Sequence, residues 1–158
     1  MSRELVRALE VSTPHLHSPA DDLELFYHTA LWAAAFNDAA SGRKYDGTEI
    51  RRFRGWISGD QRFQAIDVVQ NRLYESWKQR EQEYGPFFVH SMALLCPWLE
   101  KLVTLIRDWN LTMDQAEKLD GTKREEYLSY NFWVYGCRGV EEYFELLREH
   151  RASLERGV

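Results

Sequence analysis

Apolar residues return every three or four positions along this chain, the period of a helix with one buried face. The pattern is densest over Pro86–Trp109. Its first half is apolar on nearly every side, through Phe87, Phe88, Val89, Met92, Ala93, Leu94, Leu95 and Cys96, and its second half narrows to Leu99, Leu102, Val103, Ile106 and Trp109. A helix apolar all round must be enclosed by other elements, so 86–109 is the predicted centre of the core. Pro97 inside it cannot donate to the carbonyl of Ala93, which predicts a kink costing about 3 kcal/mol unless the surroundings fit it.

The neighbouring segments repeat the helical period. Ser2–Val11 offers Leu5, Val6 and Leu9 as the edge of a short helix. The loop STPHLHSP ends in a strong helix start: Ser18 as cap, Pro19 in the first position, then Asp21 and Asp22 where the dipole favours them. This helix is expected to reach about Ser41 and stop at Gly42, with one stripe at Leu23, Phe26, Ala30, Leu31 and Ala34 and another at Leu25, Trp32 and Phe36. Thr48 is a candidate cap for a short helix through Ile50, Phe53 and Ile57. Asp60–Tyr84 reads as one amphipathic helix with Phe63, Ile66, Val69, Leu73 and Trp77 on its apolar side. Gly85 ends it and Pro86 opens the next. A last helical region, Thr122–Arg156, is expected to break near Gly136 and Gly139, with a stripe at Val140, Tyr143, Phe144, Leu147 and Leu154.

Composition supports an all-α reading. Only 9 Gly and 4 Pro in 158 residues argue against a turn-rich β architecture, and 44% hydrophobic with 28% charged residues is ordinary for a globular protein. The expected architecture is all-α, a single-domain irregular helical bundle over 1–158, with six to eight helices around the central kinked helix 86–109.

Charge and cysteine content narrow the function classes. A net charge of -5 argues against non-specific nucleic-acid binding over the whole surface. Basic residues gather between Arg43 and Arg80, and acidic ones at Glu141, Glu142, Glu145, Glu149 and Glu155. Two cysteines, Cys96 and Cys137, make neither a disulfide framework nor a four-ligand zinc site, and read as two reduced thiols in a cytosolic core. The first residues lack the apolar core of a signal peptide. The run Pro86–Leu99 is interrupted by His90 and Ser91, short of a membrane span. A cytoplasmic protein without membrane contact is expected.

Two stretches are candidates for macromolecular contact. IRRFRGWISGDQRF, residues 50–63, interleaves Arg51, Arg52 and Arg54 with Phe53, Trp56 and Phe63. Arg and Trp are favoured anchors of protein interfaces, and the same mixture can grip phosphates and stack on bases. The bland alternative has the apolar members in the core and the arginines solvated.

In Leu111–Tyr130, Thr112 is placed to cap a two-turn helix, Asp120-Gly121-Thr122 to turn, and Thr122 to cap a second helix bearing Lys123 and Arg124. With Ala116, Leu119, Gly121, Tyr127 and Tyr130, this layout resembles the helix-turn-helix of repressor-type and antitoxin-type regulators, which implies DNA reading by the second helix. Against it, Glu125 and Glu126 repel phosphate, and any capped helical hairpin has the same letters.

Nothing in the sequence demands an enzyme. The five histidines are scattered, and no HExxH, Glu-x-x-His pair, glycine-rich phosphate loop or Gly-x-Ser-x-Gly occurs. His15 and His17 folding back on Glu24 and His28 is a weak N/O metal candidate. His90 is expected in the core, on a different face from Cys96. No cofactor is implied. The leading expectation is a non-enzymatic adaptor or inhibitor that binds a protein through Arg51, Arg52, Arg54 and Trp56. The alternatives are a DNA-binding regulator using Lys123 and Arg124, and a helical enzyme or ligand carrier with a pocket near His28 or His90.

Overall fold

The computed structural model describes residues 18–37, 46–59, 61–72 and 74–155. The expected helix at Ser2–Val11, His15, His17, Gly42, Arg43 and Lys44 lie outside them. The described residues are all-α, with seven helices and no strand: α1 (Pro19–Phe36), α2 (Thr48–Ser58), α3 (Arg62–Gln70), α4 (Tyr74–Lys78), α5 (Glu81–Tyr84), α6 (Pro86–Ala116) and α7 (Gly121–Glu155).

The start of α1 follows its sequence signals. The backbone N–H of Asp21 donates to Ser18 Oγ (3.2 Å), while Asp21 Oδ2 accepts from the Ser18 N–H (2.7 Å) and hydroxyl (3.0 Å). The Asp21 N–H also lies 3.1 Å from the Ser18 carbonyl, so the donors at this helix start are satisfied locally. Thr48, expected as a cap, is instead the first residue of α2 after Gly47, with no side-chain capping bond there.

The single helix expected over Asp60–Tyr84 is three short ones. Asn71 ends α3: its backbone N–H and its side-chain amide both donate to the Asp67 carbonyl (3.0 and 2.7 Å), and Arg72 N–H turns back to Val69 O (3.2 Å). An amide side chain competing for backbone partners favours a turn over another helical step. Arg72 then fixes the corner. Its guanidinium lies 5.0 Å from the Trp77 ring centre and donates to the Tyr84 hydroxyl (3.0 Å). Gly85, at φ 88, closes α5 in a conformation glycine tolerates, and Pro86 opens α6 as the sequence predicts.

The chain divides into two compact units, Tyr27–Leu99 and Met1–Phe26 with Glu100–Val158, and both α1 and α6 contribute to each. In the first, Phe53 packs edge-on against Trp77, Tyr84 and Phe88, with ring centres 5.0–6.3 Å apart. Ile50, Val69, Met92, Leu95 and Trp98 are also buried there. Each such side chain contributes about 1.5–3 kcal/mol by leaving water. Tyr27 is fully buried, with its ring edge-on to Trp98 at 5.2 Å. In the second unit Leu102, Leu105, Trp109, Thr112 and Ala116 form the inward line of α6, while Val103, expected in that stripe, is exposed.

By length and composition α6 could cross a membrane. Less than half of its most apolar stretch is buried within the protein, with Phe88, Met92, Leu95, Leu99, Leu102 and Leu105 inward and Val103 and Leu111 exposed.

Candidate protein-binding face

Helix α7 carries apolar residues on two opposite sides. At about 100° per residue, Phe132, Tyr135, Gly139 and Leu146 share one side, and Tyr130, Trp133, Val134, Cys137, Val140 and Phe144 fall in an opposing arc of about 120°.

The inner side is spent on packing. The rings of Phe132 and Tyr135 stand edge-on to Trp109, at 6.3 and 5.7 Å. The Tyr135 and Thr112 hydroxyls lie 3.0 Å apart and 3.3 and 3.1 Å from the Asp108 carbonyl, so one donates to that carbonyl while the other donates to its fellow hydroxyl. Arg138 donates to Glu142 Oε1 (2.8 Å) and Asp108 Oδ2 (2.9 Å). Those two hydrogen bonds, the Glu142 one first, push its guanidinium pKa up from an already high value. Tyr127 donates to Gln115 Oε1 (2.6 Å). Partners of 108, 109, 112 and 115 descend through 138, 135 and 127, so α6 and α7 run antiparallel.

Helix α1 lies along α7 in the same direction: Pro19 at Gly136, Leu23 at Gly139, and Phe26 edge-on to Tyr143 at 5.4 Å. A Cβ on Gly139 would overlap Leu23 Cδ1 and stand 3.0 Å from Leu105 Cδ2. Gly139 therefore lets three helices close together, whereas a Cβ at Gly136 would make only ordinary contact with Pro19. Neither glycine breaks α7, which runs unbroken from Gly121 to Glu155. At Gly139 close packing outweighs poor helix propensity.

Among the described residues nothing covers the outer side in this way. Tyr130, Trp133 and Phe144 are 70%, 72% and 57% exposed. Val134 and Val140 are also exposed, as are Cys137 and, on α1, Leu25 and Phe26. A groove of about 630 Å³ opens on this side, lined by Pro19 and Leu23 of α1 and by Trp133, Cys137 and Val140 of α7, with Asp22 and Glu141 also among its lining residues. The largest exposed apolar patch of a protein is often a functional surface. Of the stripe expected to be the core face, Val140 and Phe144 are thus on the outside, Tyr143 and Leu147 are half-buried, and Leu146 is buried instead. The missed signal was a second apolar line at Tyr130, Trp133, Cys137, Val140 and Phe144, obscured by reading the glycines as a break.

The sequence candidates are dispersed. Arg51 and Arg52 are exposed and paired with Asp46 (3.4 Å) and Glu49 (3.1 Å). Arg54 turns inward, donating from Nε to the Ala35 carbonyl (2.6 Å) with its guanidinium 5.7 Å from the Phe36 ring centre. Trp56 is half-buried and edge-on to Phe53 at 6.1 Å. Lys123 and Arg124 are exposed in the first turn of α7 beside Glu125 and Glu126. Leu111–Tyr130 is not a pair of short helices: α6 continues through Ala116, Thr112 sits inside it, and the joint is a turn at 117–120 between helices of 31 and 35 residues.

His90, expected in the core, is exposed, whereas Cys96 is buried. Among the described residues no group of three His, Cys, Asp or Glu side chains is placed to hold a metal ion.

Comparison with known proteins gives no match among family models, curated proteins or solved structures.

Proposed function

We propose that this chain is a non-enzymatic protein that acts by binding another polypeptide through the outer side of α7 and the groove beside it. The observation that carries the reading is the aromatic line Tyr130, Trp133 and Phe144, open to water on a helix whose opposite side is already packed. Exposed Trp and Tyr, backed by a rigid helix, are the anchors that dominate protein interfaces. The basic stretch expected to make the contact supports this less well, because Arg54 is engaged with the Ala35 carbonyl. An exposed thiol at Cys137 fits a reducing compartment, and the reading puts the protein in the cytoplasm.

The test is photo-cross-linking in the native host, with a benzophenone amino acid replacing Trp133 or Phe144 and, in parallel, Arg51, Arg52 or Lys123. Polypeptide adducts from positions 133 and 144 are expected. Adducts confined to 51 and 52, or nuclease-sensitive adducts at 123, would overturn the assignment.

A further inference from the structure

We infer that the occupant of the outer side of α7 is a second copy of this chain, paired antiparallel with Cys137 at the two-fold axis. The inference rests on the reading of that side as a protein-binding surface and names its partner.

A self-pairing helix must present a sequence that complements its own reversal. Reversed about Cys137, position 130 meets 144 and position 134 meets 140. Tyr130 then faces Phe144, Val134 faces Val140, and Trp133 faces Glu141, each twice in the pair. At the ends of the same side, 126 meets 148, so Glu126 of each copy faces Arg148 of the other. Both residues are exposed, and Glu126 precedes the apolar line as Arg148 follows it. Parallel pairing would instead set Glu126 against Glu126 and Arg148 against Arg148. Charge thus selects the antiparallel arrangement.

The area is sufficient. With side chains of roughly 150–250 Å², the exposed parts of Tyr130, Trp133 and Phe144 amount to roughly 350–400 Å². Val134, Cys137, Val140 and the neighbouring Phe26 bring the face to roughly 500–600 Å² per copy, or roughly 1,000–1,200 Å² for the pair, the lower bound of a specific interface. The small side chain of Cys137 at the axis lets the two helices approach.

Sedimentation equilibrium of the full chain at tens of micromolar should give a dimer. Trp133→Glu should shift it to a monomer with an unchanged helical circular dichroism spectrum. Glu126→Arg should weaken the dimer, and adding Arg148→Glu to the same chain should restore it. A short-armed bismaleimide should join two copies of the wild type and not of Cys137→Ser, since Cys96 is buried. A monomeric wild type, a charge swap without rescue, or cross-linking that survives Cys137→Ser overturns the pairing. A monomer that still cross-links at position 133 to a different polypeptide loses the second copy as occupant but keeps the face. A monomer without any adduct there loses both.

Discussion

Gly55 and Gly139 both lie inside helices, and their surroundings give them opposite signs. A Cβ at Gly55 meets nothing within 4 Å, so Gly55→Ala should gain about 0.5–1 kcal/mol by restricting the unfolded chain. At Gly139 the Cβ overlaps Leu23, and overpacking of this kind costs about 1–3 kcal/mol, more than helix propensity returns. Urea denaturation of the two variants should move the midpoint in opposite directions. Tyr27 provides a pH signature. Burial, with a smaller contribution from nearby Cys96, pushes its phenol pKa well above the ordinary value. Above pH ~10 the unfolded phenol releases its proton while the folded one keeps it. Stability is therefore full below that pH and is lost as pH rises from there toward the folded pKa. In Tyr27→Phe this component of the alkaline loss should vanish, as thermal melts across that range would report.

At the scale of the element, α1 ends where Arg54 of α2 meets its last turn. A guanidinium on the Ala35 carbonyl satisfies an acceptor the helix leaves open and complements its negative end. Arg54→Ala should cost about 1–2 kcal/mol, while Arg51→Ala and Arg52→Ala, which break only exposed ion pairs, should stay within about 0.5 kcal/mol. Chemical denaturation separates the three. Helix starts were legible where the signal is local, as at Ser18–Asp21 and Gly85–Pro86. Apolar period alone could not show that Asp60–Tyr84 bends twice, because the bend depends on Asn71 folding onto Asp67 and on Arg72 spanning Trp77 and Tyr84. Nor could it assign the two apolar sides of α7. Inner and outer lines have the same residue types and spacing, and only the neighbours supplied by α1 and α6 distinguish them.

For the whole molecule, the all-α class and the role of the 86–109 segment as core were readable from composition and period. The exposed apolar side of α7 was not, since exposure is a property of what other elements leave uncovered. The boundaries of the two units, after Phe26 and after Leu99, fall inside α1 and α6. Limited proteolysis of the folded chain should therefore release neither unit intact, because the bonds at both boundaries lie in helical interiors that proteases cannot bind extended. Mass spectrometry of the first fragments would show this.

An inner packed line and an outer apolar line back to back on one helix make α7 intolerant of changes in length. One inserted residue between Tyr135 and Gly136 would turn everything beyond it by about 100°, swinging Gly139 away from Leu23 and Phe144 out of line with Trp133. An insertion in the turn at 117–120 leaves that phasing untouched. Length variation in descendants of this chain should accordingly collect at the turn and avoid the rod.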